Sequence, residues 1–181
     1  MTALQLMKMT LRKLDRPTDD DTVALYRERL MGYLNEALLD LTAELRPWRR
    51  DTVTLTNGQA ELSGLPCICL KVIAARIDGQ RRLFYYGPTR NTLLFPGEAD
   101  GTVELTCRYQ PALLEEVTDE PQLPAGLQEL MATYAAARER SRFDAASQNA
   151  ARLDLTLYRE LKGKLRRNYP APDQSQIYHI Y

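Results

Sequence analysis

A chain of 181 residues, 44% of them hydrophobic, has the length of one domain or of two small subdomains and enough apolar material for a core. Its 24 basic and 24 acidic side chains cancel, without the basic excess of a dedicated nucleic-acid binder. No apolar run approaches the ~20 residues that cross a bilayer, and the opening stretch carries Lys8, Arg12 and Lys13 where a secretory signal needs a continuous apolar segment.

The neutral sum hides an uneven distribution. Eight acids and one base, Arg108, lie between Glu98 and Glu129, whereas nine bases and four acids lie between Met131 and Pro170. Opposite charge on separate segments suits a protein whose copies meet through different faces, and it equally describes two solvated faces. Three cysteines, Cys67, Cys69 and Cys107, are an odd number, which predicts free thiols in a reducing cytosol.

Apolar residues at Leu4, Met7, Leu11 and Leu14 recur at helical spacing behind Thr2, a capping residue. After Pro17, Thr18-Asp19-Asp20-Asp21 supplies capping oxygens for a second helix. Its stripe runs through Val23, Tyr26, Leu30, Tyr33, Leu34, Ala37, Leu38, Leu41 and Leu45 and stops at Pro47.

The period then changes to two. Val53 and Leu55, Asn57-Gly58, and Ala60 with Leu62 predict a hairpin whose turn needs positive φ. Leu70–Ile77, Asp78-Gly79 and Leu83–Tyr86 predict a second hairpin, and Leu93–Phe95 a short strand. Val103, Leu105, Cys107 and Tyr109 alternate with polar residues as a half-buried strand does. Six short strands in this span predict a small antiparallel sandwich or barrel.

Helical spacing returns after Pro124, with Leu127, Leu130, Met131, Tyr134, Ala135 and Arg138 on one face. A last helix from about Ala145 carries Leu153, Leu157, Leu161 and Leu165 at a spacing of four. The fold class is therefore α+β. Residues 1–50 and 113–169 form a helical bundle, 51–112 an inserted β-domain and 170–181 an extended tail.

The residues that usually carry chemistry are scarce. The one histidine, His179, stands near the end of the tail, and Cys67-x-Cys69 lacks a second pair to complete four metal ligands. Phosphate-cradling glycine loops, a G-x-S-x-G elbow and an H-E-x-x-H helix are missing from the sequence. Asp19-Asp20-Asp21 reads as a helix cap. No enzyme, metal or cofactor is expected. Arg49-Arg50 beside Trp48, and Arg81-Arg82 ahead of Leu83-Phe84-Tyr85-Tyr86, combine cations with aromatics as single-strand binders do; the bland alternative is solvated arginines at element ends.

The ordered set of features resembles a family. An opening Thr2-Ala3-Leu4-Gln5-Leu6-Met7-Lys8 helix and a long helix ending near Trp48 precede strands centred on the turn at Asp78-Gly79. Tyr109-Gln110-Pro111, Pro121-Gln122-Leu123-Pro124, the alanine-rich Tyr134-Ala135-Ala136-Ala137-Arg138 helix and a basic last helix follow. From about Thr2 to Tyr169 this is similar to the head–tail adaptor (connector, head-completion) proteins of tailed bacteriophages.

The resemblance implies a helical bundle carrying a β-domain and a ring, usually of twelve copies, docked under the portal protein. Such a ring extends the DNA channel and offers a surface to a tail or stopper protein. It also implies assembly in the host cytoplasm, a final place in the virion neck, no membrane partner, and transient, non-specific contact with the genome. In some relatives the segment after the last helix grips the portal; here that segment contains Tyr169, Ile177, Tyr178, Ile180 and Tyr181. Arg49, Arg50, Arg81 and Arg82 are the candidates for the DNA channel. The alternatives are a stopper or tail-completion protein of the neck, and a DNA-binding packaging protein.

Overall fold

A computed structural model describes residues 1–168 of the chain. They fall into two compact units, one made of 1–45 and 111–168, the other of 46–110.

The helical unit begins with α1 (Ala3–Lys13), whose start is a capping box. The Gln5 N–H donates to the Thr2 hydroxyl at 3.3 Å, and the Thr2 N–H donates to the Gln5 side-chain carbonyl at 2.9 Å. The N–H groups of Ala3 and Leu4 donate to the carbonyls of Asp119 and Val117, so the acidic loop after residue 111 satisfies donors that a helix start leaves open. α2 (Asp20–Leu45) starts behind Asp19, whose carboxylate accepts from the Thr22 N–H at 2.9 Å and holds its own pKa low by that bond. Two further helices, α3 (Ala125–Arg140) and α4 (Ala145–Asn168), complete the unit.

Leu6, Met7 and Leu11 of α1, Leu30, Leu34, Leu38 and Leu41 of α2, Leu127, Met131 and Ala135 of α3, and Tyr158 of α4 form one apolar core. α3 packs against each of the other three helices. Arg138, at the end of the same helical row, is exposed and ion-paired with Glu36 at 3.2 Å. The extended segment before α3 is pinned to α2 by Asn35, which donates to the Leu114 carbonyl at 2.9 Å and accepts from its N–H at 2.8 Å.

The β unit holds β1 (Trp48–Thr56), β2 (Gln59–Glu61), β3 (Ile68–Ile77), β4 (Gln80–Arg82), β5 (Tyr85–Tyr86), β6 (Thr92–Leu94) and β7 (Gly101–Gln110). These seven strands make one antiparallel sheet in the order β4-β3-β7-β1-β2-β6-β5. The sequence led to six strands in a sandwich or barrel; the described strands number seven and join into one continuous, curled sheet. Its two edges are neighbours in the chain. From Arg82 to Tyr85 is three residue steps, a reach of about 10 Å, so β4 and β5 lie close although five strands separate them in the sheet. The Val72 N–H, near one edge, donates to the Tyr86 hydroxyl at the other at 3.1 Å.

The curled sheet encloses a second core of Val53, Leu55, Val72, Ala75, Leu93, Phe95, Val103, Leu105 and Cys107. The stretch Leu83–Tyr86 does not extend the second hairpin. β4 ends at Arg82, and Tyr85 and Tyr86 pair with Leu94 and Leu93 of β6.

Both hairpin turns use the left-handed backbone their residues favour, with φ of 50° at Asn57, 70° at Gly58, 52° at Asp78 and 75° at Gly79. At Gly58 a Cβ would also sit 2.9 Å from the Glu98 carbonyl oxygen and 3.0 Å from that of Phe95. Gly58→Ala is therefore expected to destabilise the β unit by about 2 kcal/mol or more, from positive φ and backbone crowding together. The denaturation midpoint followed by Trp48 fluorescence checks this, with Gly79→Ala, where no atom lies within 4 Å of the added Cβ, as the milder comparison.

Candidate interaction surfaces

Side chains of a strand alternate between the faces of its sheet, and this divides the paired arginines. On β1, Arg49 shares the parity of the buried Val53 and Leu55, while Arg50 shares that of the exposed Thr52 and Thr54. Arg49 is ion-paired with Asp51 at 2.7 Å, and its guanidinium lies 5.9 Å from the Tyr109 ring centroid. Arg50 is exposed, 5.8 Å from the Trp48 ring. On β4, Arg82 stands opposite the buried Ala75 and is ion-paired with Glu98 at 2.8 Å, whereas the exposed Arg81 stands opposite Arg76. One arginine of each pair thus belongs to the outer face.

Cysteines cluster on the inner side of the same sheet. The thiol of buried Cys107 donates to the sulfur of half-buried Cys69, which raises the pKa of Cys107 and lowers that of Cys69. Burial raises the pKa of Cys67. All three are free thiols. Among the described residues, no group of three His, Cys, Asp or Glu side chains converges to hold a metal ion. A hollow of about 610 Å³ lined by Thr52, Thr54, Thr56, Gln59 and Ser63 contains one carboxylate, Glu61, which accepts from the Thr92 hydroxyl at 2.8 Å. No helix of the described residues is long and apolar enough to cross a membrane.

The helical unit presents an apolar surface on α4. Leu153 and Leu157, which the sequence shows recurring at a spacing of four, are 73% and 48% exposed. The face turned to the core carries Ala151 and Tyr158, both buried, with Leu161 partly buried against the same core.

Polar anchors set this rotation of α4. The Tyr158 hydroxyl donates to Asp40 of α2 at 2.6 Å, and Lys162 reaches Asp40 at 2.8 Å and Glu44 at 2.7 Å. Burial pushes the Asp40 carboxyl up, but the hydrogen bonds from Lys162 and Tyr158 and the charges of Lys162 and Arg159 outweigh it and hold its pKa below the usual range. Burial, the bond to Asp40 and that carboxylate's charge raise the Tyr158 pKa, keeping the phenol protonated as the donor. Arg140 at the end of α3 bonds both Asp154 of α4 and the Lys13 carbonyl that closes α1. These anchors leave Leu153 and Leu157 facing outward.

The expected portal-binding residues Tyr169, Ile177, Tyr178, Ile180 and Tyr181, and the lone histidine His179, lie outside the described residues. The outward leucines were missed because a four-residue spacing identifies an apolar stripe without saying what covers it. The polar residues four apart on the neighbouring face, Asp154, Tyr158 and Lys162, were the available signal.

A search of curated proteins gave no match. A family model described as SU10 adaptor protein matches residues 1–176, almost the whole length of the sequence. With helices on both sides of an inserted antiparallel sheet, and with that match, the chain belongs to the SU10 adaptor protein family, a family of phage head–tail adaptors.

Proposed function

We propose that the protein is a structural adaptor that forms a ring beneath the portal of a tailed phage, extends the DNA channel and gives tail components a surface to dock on. The reading makes it a virion protein of the neck, assembled in the host cytoplasm, with no catalytic role. The observation that carries the ring is the outward pair Leu153 and Leu157 on a helix whose other side is anchored in the core. An apolar row of this kind on an otherwise charged helix marks a surface that a partner covers. In a closed ring one face of each subunit meets a different face of the next, and the exposed Leu25 and Leu39 of α2 offer further apolar contact. Twelve copies is the number the family resemblance suggests.

Tyr169, Ile177, Tyr178, Ile180 and Tyr181 are proposed as the portal grip. An apolar, aromatic segment with prolines at 170 and 172 is of a composition that gains by filling pockets on another protein. The experiment is the particle mass of purified portal mixed with the protein, against each component alone. A gain equal to a ring of subunits, lost when residues 170–181 are deleted, is the expected result. A gain that survives the deletion removes the grip and keeps the adaptor. No gain at any concentration transfers the reading to a stopper or tail-completion protein one layer lower.

A further inference from the structure

The register of the sheet gathers cations that are scattered in the sequence. Across β3, β7 and β1, Lys71, Arg108 and Trp48 form one row of directly opposed residues. Ala74, Thr106 and Arg50 form the next. Arg81, Arg76, Glu104 and Thr52 form the third, which begins on β4. All three rows lie on the outer face, because the residues between them, Val72, Ala75, Val103, Leu105, Cys107 and Val53, fill the enclosed core. Five cations therefore share one face with one acid, Glu104, in an area roughly 14 Å on a side given the strand spacing and rise.

One of these contacts is unfavourable in the protein alone. Lys71 stands opposite Arg108, whereas Arg76, opposite Arg81, has Glu104 on its other side. Like charges directly opposed across strands destabilise a sheet. Arg50 and Lys71 are exposed, Arg76 and Arg108 are half-exposed, and the buried Thr106 lies among them, so these four cations present charge to solvent and to a ligand. A closely spaced array of anions would turn the repulsion into attraction. Within the rows, threonines and alanine separate the cations, and Trp48 is the one large apolar side chain, partly covered by Arg50. That composition differs from the centre of a protein–protein contact, which is depleted of charge and rich in apolar groups. It resembles surfaces that meet phosphates, where Arg and Lys position a backbone without reading bases.

We infer that the outer face of this sheet, through Arg50, Lys71, Arg76, Arg81 and Arg108, binds the phosphate backbone of duplex DNA without sequence preference. The inference rests on the adaptor reading only for where the duplex comes from.

The test is the affinity of the full chain for a fluorescent, arbitrary-sequence DNA duplex, measured by anisotropy over a salt series. With four or five phosphates engaged, log K should fall against log salt with a slope of about −4. Arg76→Gln/Arg81→Gln should reduce that slope by about 2 and weaken binding at least tenfold at low salt. The neighbours Arg81 and Arg82 give the sharper comparison: R81Q should lower the slope by about one, whereas R82Q, from the opposite face, should leave it unchanged. Equal losses in R81Q and R82Q, or no salt-dependent binding by the unaltered protein, would overturn the inference. In the same preparations the mass gain on portal reads the adaptor role separately, and R76Q/R81Q should keep it. Lost portal binding with unchanged duplex affinity would assign the face to an acidic protein surface and refute the DNA assignment.

Discussion

Replacing Leu153 and Leu157 together by aspartate is expected to leave the protomer folded and to abolish ring assembly on the portal. At 73% and 48% exposure the two side chains contribute little to the fold of an isolated copy, and surface substitutions of that kind stay within about 0.5 kcal/mol. In an assembled ring each would be buried against a neighbour, worth about 1.5–3 kcal/mol apiece, and the aspartates would add unpaired charge to the contact. Together this lowers each subunit–subunit association at least a hundredfold, a tenfold loss for every 1.4 kcal/mol. The readouts are an unchanged melting temperature and the absence of ring-sized complexes in native mass measurements. A variant that assembles normally would remove α4 from the ring contact.

Met131→Ala should have the largest effect on the fold itself. Met131 is fully buried on α3, the helix that packs against α1, α2 and α4. Truncating a buried methionine costs about 2–5 kcal/mol, because the surrounding helices relax only partly into the space. Met131→Leu, which nearly conserves volume, should cost less than about 1.5 kcal/mol. Far-UV circular dichroism in denaturant follows the helices, while the single tryptophan, Trp48, reports on the β unit. An alanine variant with the original midpoint would show that α3 is not the centre of packing.

Much of the fold was legible because local chemistry and long-range packing agree. Thr2 caps α1, Asp19 caps α2, and α2 ends two residues before Pro47. Asn57-Gly58 and Asp78-Gly79 turn where their positive φ values allow. The alternation around Cys107 is that of a strand paired on both sides.

Where the reading failed, the missing information was non-local. Leu83-Phe84-Tyr85-Tyr86 has no alternation to show that the chain leaves one edge of the sheet and rejoins it at the other. Leu153 and Leu157 repeat as core residues do, but the orientation of α4 is set by Asp40, Glu44 and Arg140 on other helices. The cationic face needed the pairing register, since Arg50, Lys71, Arg76, Arg81 and Arg108 show no common pattern in one dimension. Of the four arginines named from the sequence, Arg50 and Arg81 belong to that outer face and Arg49 and Arg82 do not.

One detail of the β unit bears on how such chains can diversify. Trp48, the first residue of β1, is paired with Arg108 near the end of β7, and the Tyr109 N–H donates to the Pro47 carbonyl at 3.3 Å. The chain therefore crosses into the sheet and back out of it at adjacent points, one strand spacing apart. Whatever happens beyond that doorway, the helices see the same short gap between residues 45 and 111. Loops of the sheet can therefore grow, shrink or change charge while the helical scaffold keeps its own spacing.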